Sequence, residues 1–186
     1  MNLEFGSGAG AGVVRRWRHS DAQALATLAD DRGTWLMLRD RFPHPYTLEH
    51  ARRFISHSRA TALTTAFAIE AGGVLAGGIG LALHEDVERC AAEIGYWVGA
   101  ACRGRGLATG AVRAVTGWAL ADLGLTRVYA LPFAHNAASC RVLEKAEFTY
   151  EGRLRRSAIK DGRVVDQLLY ARVRDEPPAP VRPPGA

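Results

Sequence analysis

Residues 93–110 read Glu-Ile-Gly-Tyr-Trp-Val-Gly-Ala-Ala-Cys-Arg-Gly-Arg-Gly-Leu-Ala-Thr-Gly, an apolar stretch passing through a basic, glycine-rich turn into a helical run. At such a turn several backbone N–H groups lack an intrahelical partner, and the helix dipole adds partial positive charge. Glycines bring an anion close to the backbone, and Arg103 and Arg105 add full charges. The chemistry this suits is a phosphate or pyrophosphate held mostly by main chain. A nucleotide P-loop would need G-x-x-x-x-G-K-[ST], and no such string occurs. Gly104-x-Gly106-x-x-x-Gly110 is closer to a dinucleotide fingerprint. That fold, however, places its turn after the first strand and an acidic residue at the end of the next. Here the next strand, 126–131, runs into Pro132-Phe133-Ala134.

The elements that must position this turn follow from periodicity. Residues 13–17 form a first strand; Ser20 caps a helix to about residue 30, and a short helical piece covers 34–40. Pro43 and Pro45 impose an extended stretch. Thr47 caps a helix with Ala51, Phe54, Ile55 and Ser58 on one face. A hairpin pairs 64–70 with 74–83 around Ala71-Gly72-Gly73, and 91–98 is the strand before the turn. The helix after it occupies 104–123, with Gly124 as its cap. A short strand at 126–131, a helix from Asn136 to about 146, and strands 148–159 and 163–173 complete the pattern. These make a mixed α/β (α+β) fold over residues 13–174: a mostly antiparallel seven-stranded sheet with helices on both faces. Residues 1–12, rich in glycine and alanine, are expected to be a flexible arm, and 175–186, with five prolines, a flexible tail.

Composition narrows the partners. The chain has 186 residues, a net charge of +5 and 48% hydrophobic residues; 22 of its 24 basic residues are arginine. By segment the charge is +3 over 1–60, −4 over 61–100, +3 over 101–130 and +3 over 131–186. The turn accounts for part of the excess. No basic stripe interleaved with aromatic residues suggests nucleic acid, no apolar run approaches the roughly 18–20 residues of a membrane span, and residues 1–12 lack the basic flank of a secretory signal. Cys90, Cys102 and Cys140 include no C-x-x-C and fit a reducing cytoplasm. His44, His50 and His57 are too dispersed for a metal site, so no metal is expected. Cys140 is read as a small buried thiol rather than a nucleophile paired with His135.

Arg103-x-x-Gly106-x-Ala108 resembles the signature with which Gcn5-related N-acetyltransferases bind the pyrophosphate of acetyl-CoA. The segment Asn136-Ala-Ala-Ser139-Cys-Arg-Val-Leu143-Glu-Lys-Ala-Glu-Phe148 is similar to the Asn-x-x-Ser helix of their ribosomal-protein alanine acetyltransferase branch (RimJ/RimL-like). Arg16-Trp-Arg-x-x-Asp21 and Tyr150-Glu-Gly-Arg-Leu-Arg-Arg156 also look like that branch. One residue departs from it: Glu147 stands where the family has glycine, which implies a left-handed Glu147 or a different cap.

The resemblance implies an acetyl-CoA-dependent N-acetyltransferase acting by direct attack of a primary amine in a ternary complex. The acceptor would be a ribosomal or other protein N-terminus, or a small-molecule amine. A non-catalytic acetyl-CoA sensor or basic binding module is the alternative, and relatives often form homodimers. Carried over by position, Tyr96, Trp97 and Val98 face the pantetheine arm and thioester. Arg103, Gly104, Arg105, Gly106, Leu107, Ala108 and Thr109 hold the pyrophosphate, Asn136 bonds to the pantetheine, and Ser139 lies near the sulfur. Ser139 is the candidate acid for the leaving thiolate, with a helix-surface serine as the plainer alternative. Glu93 is the candidate general base acting through a water; a strand-edge salt bridge to an arginine is its alternative. Trp35, Phe42 and Tyr46 stand between substrate contact and core packing, and Arg155-Arg156 between a solvated hairpin face and an acidic-substrate contact.

Overall fold

The computed structural model describes residues 2–60 and 65–174. Eight strands form one sheet: β1 (Asn2–Phe5), β2 (Gly12–Arg15), β3 (Ala66–Ala71), β4 (Val74–Leu83), β5 (Ala91–Val98), β6 (Arg127–Ala130), β7 (Thr149–Lys160) and β8 (Arg163–Val173). Their spatial order is β1-β2-β3-β4-β5-β6-β8-β7. All neighbours are antiparallel except β5 and β6, joined by a crossover through the helix α4 (Leu107–Ala121). The remaining helices are α1 (Ala22–Ala29), α2 (Arg32–Leu36), α3 (Leu48–Ala60) and α5 (Ala137–Lys145).

Eight strands rather than seven is a correction, and its source is the expected arm. Residues 2–5 pair with 12–15, Leu3 opposite Val14 and Phe5 opposite Gly12. Leu3 and Phe5 alternate with polar neighbours and pack on the core, a period-2 signal that the following glycine-rich run obscures. The expected tail at 175–186 lies outside the described residues, as does Thr64 at the start of the expected third strand.

The pleat divides the core between the sheet's two faces. On β3, Phe67 and Ile69 face the cluster containing Leu107, Val112 and Val115 of α4 and Leu143 of α5. Ala68 faces the other cluster, with Trp17, Leu25 and Ala29 near α1 and Ala51 and Ile55 of α3. The buried Arg15 ties β2 to both sides: its guanidinium donates to both Asp21 oxygens at 2.7 and 2.8 Å and to Glu70 at 2.6 Å. Burial alone would raise the Asp21 carboxyl, but hydrogen bonds from the Arg15 guanidinium and the Arg18 N–H outweigh it and hold the group below the usual carboxylate range.

Helix ends follow their capping chemistry. Thr47 Oγ1 accepts from the His50 N–H at 3.2 Å, as expected of a cap. Ser20 does not cap. It lies in a one-turn helix, His19–Asp21, and the Asp21 carboxylate takes the Arg18 N–H at 2.7 Å instead. Asp31 accepts from Gly33 and Thr34, which starts α2 ahead of the expected 34–40.

At the end of α5, Phe148 N–H bonds to Leu143 O at 3.0 Å and Glu147 N–H to Glu144 O at 3.1 Å, a Schellman pair, with Glu147 left-handed at φ 67°. Relief of a non-glycine left-handed residue is worth about 1 kcal/mol. The exposed ion pairs of Glu147 with Arg172 (3.0 Å) and Arg113 (3.7 Å) offset only a fraction of it. Glu147→Gly is therefore expected to raise the thermal midpoint by about 2 °C, read by calorimetry. A lowered midpoint would show that the ion pairs outweigh the strain.

Candidate active site

β5 and β6 pair only at Ala91–Arg127, Ala92–Val128 and Glu93–Tyr129. Beyond Glu93, β5 keeps only β4, with Tyr96 opposite Ile79 and Val98 opposite Gly77. The chain after β6 turns to β8 instead, through Leu168 N–H to Pro132 O at 2.9 Å and Ala134 N–H to Asp166 O at 2.8 Å. The sheet forks there, and the β5 edge beyond Glu93 faces the gap.

At the wide end of the fork stands the glycine turn. Gly104 (φ 76°) and Gly106 (φ 81°) are left-handed, with open space where a Cβ would stand, so backbone conformation is what requires glycine. Gly106 is the N-cap of α4 and has no side chain to bond the helix's first amides. The amides of Leu107, Ala108 and Thr109 thus form an anion cradle that fits a pyrophosphate. The Leu107 side chain is buried, so its contribution is main chain only.

Arg103 does not point free into the cradle. Its guanidinium donates to Thr34 Oγ1 at 2.8 Å and Val98 O at 3.3 Å and lies 3.5 Å from Asp31, tying the turn to α2. Arg105 Nε donates to Ala9 O at 3.3 Å.

The side chains of Tyr96, Trp97 and Val98 do not share one face, because the pleat alternates them. Tyr96 and Val98 pack toward α4 and α5. Trp97 goes to the opposite face, packed edge-on against Phe42 at 5.5 Å and lying over Gly78, where a Cβ would come within 2.9 Å of its Nε1.

The Tyr96 hydroxyl meets Ser139 Oγ at 2.8 Å, either group able to donate, and Ser139 O at 3.2 Å. Burial pushes the Tyr96 hydroxyl well up, so it stays protonated. Asn136 Oδ1 accepts from the Ser139 N–H at 3.1 Å as the cap of α5, which fixes Ser139 in the first turn. Next to it, Cys140 is buried in the core, and His135 stacks on Phe133 at 5.7 Å.

At the closed end of the fork Glu93 is half-buried, and the Arg39 guanidinium donates to its Oε1 at 2.5 Å. The alternative of an arginine salt bridge is thus present. Opposite Glu93, Tyr129 meets His84 Nε2 at 2.8 Å. Burial and then the Glu93 charge raise the Tyr129 hydroxyl, while Arg39 and Arg127 pull it down.

Three residues here had no sequence motif: Arg39, Asp40 and Lys160. The buried Lys160 ammonium bonds to Asp40 at 2.6 Å and sits 3.7 Å over the Trp35 ring, docking the β7–β8 tip beside Arg39. Tyr46 is core, and Phe42 bridges it to Trp97. Arg156 lies at a register shift of β7, its N–H bonded to Asp166 at 2.7 Å. Two of the five acidic residues in 61–100 are paired with arginines outside that segment, Glu70 with Arg15 and Glu93 with Arg39. Among the described residues no group of three His, Cys, Asp or Glu side chains could hold a metal ion, and no helix is long and apolar enough to cross a membrane.

Comparison with known proteins agrees with this geometry. Residues 13–149 match the acetyltransferase (GNAT) domain family. The chain is 30% identical over 172 residues to the Bacillus subtilis (strain 168) protein named "Putative ribosomal N-acetyltransferase YdaF", covering 88% of this chain and 92% of that one. It superposes on Mycobacterium smegmatis RimJ, solved in complex with CoA-disulfide, with a TM-score of 0.81 and 26% identity, over 92% of this chain and 86% of that one. A ribosomal-protein-S5-alanine acetyltransferase from Vibrio fischeri shares the fold, with a TM-score of 0.79 at 20% identity, over 94% and 98% of the two chains.

Proposed function

This chain belongs to the GNAT acetyltransferase family and is an acetyl-CoA-dependent N-acetyltransferase, and on that premise we propose that it acetylates the α-amine of a protein N-terminus by direct attack in a ternary complex. The observation that carries the reading is the fork, with an anion cradle at one end and a carboxylate at the other. Support for the acceptor class comes from the names of the relatives, which include ribosomal N-acetyltransferases.

Acetyl-CoA supplies the acetyl group as a thioester. The amides from Gly104 to Thr109 hold its pyrophosphate, and Arg105 adds charge at the rim. The N–H groups of Tyr96 and Val98, which alternate away from the β4 ladder, polarise the acetyl carbonyl from the fork side. Asn136, whose Oδ1 is used as a cap, keeps its NH2 to donate to the pantetheine. Glu93 takes the amine proton through a water, with Arg39 holding the carboxylate in place. Ser139 gives its proton to the leaving thiolate while the Tyr96 hydroxyl donates to the Ser139 oxygen. The absence of a disulfide among the cysteines supports a cytoplasmic setting.

The test is thiol release from acetyl-CoA with peptides carrying a free α-amine, the same peptides blocked there, and small amines. Free peptides are expected to turn over and blocked ones not. Turnover of small amines alone would overturn the acceptor class, and silence across the panel would favour a binding role without catalysis.

A further inference from the structure

β4 and β5 carry four glycines, and three of them answer to packing. A Cβ on Gly77 would fall 2.2 Å from Trp97 O, one on Gly78 2.9 Å from Trp97 Nε1, and one on Gly80 2.9 Å from Thr65 O. Gly95 answers to nothing in the fold. Its φ is not left-handed, no bulge interrupts the register around it, and no neighbouring heavy atom lies within 4 Å of where its Cβ would stand. A glycine inside a strand costs entropy and packing; with turn and bulge excluded, it marks the close approach of another group.

The pleat puts the missing side chain on the face of Glu93 and Trp97, away from Tyr96 and Val98. Over that face runs the segment 39–42, which touches β5 on both sides of Gly95: Arg39 at Glu93, and Phe42 edge-on to Trp97 at 5.5 Å. Positions 93 and 97 of a strand stand about 13 Å apart. Midway between them the Gly95 backbone is exposed. It is also the second residue past the last β5–β6 pair, so this bare gap opens onto the fork.

We propose that Gly95 is a specificity-determining residue: the first residue of the acceptor polypeptide lies flat on the Gly95 backbone, its α-amine toward Glu93 and its side chain in the gap toward Trp97 and Phe42. The inference rests on the acceptor class stated above and adds to it a limit on the size of that first residue. A methyl group at position 95 takes the space directly beneath the acceptor, and the penalty grows with the bulk that must be seated above it.

The test is kcat/KM of the full chain with acetyl-CoA and four peptides, identical except for a first residue of glycine, alanine, leucine or phenylalanine. In Gly95→Ala the loss relative to wild type is expected to rise with the size of that residue. It should run from about twofold for glycine to about fiftyfold for phenylalanine, mostly in KM. Gly95→Val should extend the large loss to alanine. Acetyl-CoA affinity, read by calorimetry, should stay within about twofold, because the added Cβ points off the Tyr96 and Val98 side. Gly80→Ala is the structural contrast: its clash with Thr65 O should lower the thermal midpoint, which Gly95→Ala should not. An equal factor for all four peptides, no loss at all, or a lowered midpoint in Gly95→Ala would overturn the proposal while leaving the acceptor class standing. A wild-type chain that acetylates small amines but none of the peptides would overturn the acceptor class and the role of Gly95 with it.

Discussion

A Gly106→Glu chain is expected to bind acetyl-CoA at least about a thousandfold more weakly than the wild type, read by calorimetry. Two costs combine. The left-handed φ of 81° costs a residue with a Cβ roughly 1–2 kcal/mol. A carboxylate about 4 Å from a phosphate at an effective dielectric near 20 adds about 4 kcal/mol of repulsion. Gly106→Ala isolates the first cost, because the space beside the Cα is open and nothing clashes. It should weaken binding by about tenfold or less. Wild-type affinity in the glutamate variant would mean that the anion is held elsewhere.

Ser139→Ala is expected to lower kcat about a hundredfold while leaving acetyl-CoA affinity within about twofold, the pattern of a proton donor acting only in the transition state. Tyr96→Phe removes the hydroxyl that reaches Ser139 Oγ and should lower kcat by a smaller factor. Since the two act as a unit, the double variant should be no slower than Ser139→Ala alone. Full additivity would show that Tyr96 acts independently of Ser139, and wild-type kcat in Ser139→Ala would remove the serine from the chemistry.

What the chain disclosed in advance was whatever its local pattern dictates. The apolar run 91–98, ending at the glycine turn, defines β5 with matching boundaries. At Glu147 the signal is the resemblance, which has glycine there and implies a left-handed residue or a different cap; the left-handed residue is what is found. β1 was hidden because Leu3 and Phe5 are only two apolar positions beside a glycine run that reads as flexible. The facing of Trp97 follows from the pleat, which sends its side chain to the side opposite Tyr96 and Val98. Arg39 and Glu93 are separated by 54 positions, and Lys160 and Asp40 by 120. Their pairing depends on how α2 and the β7–β8 tip dock, which no short spacing encodes.

The fork between β5 and β6 also has a thermodynamic consequence. A sheet that divides after three paired positions lacks cross-strand partners along the edge of β5, and a pantetheine arm laid in the gap would take their place. Ligand and fold are then linked by mass action: at a free concentration a hundred times Kd, the folded state gains about 2.7 kcal/mol. The supply of acetyl-CoA would thereby help set the lifetime of the protein as well as its turnover.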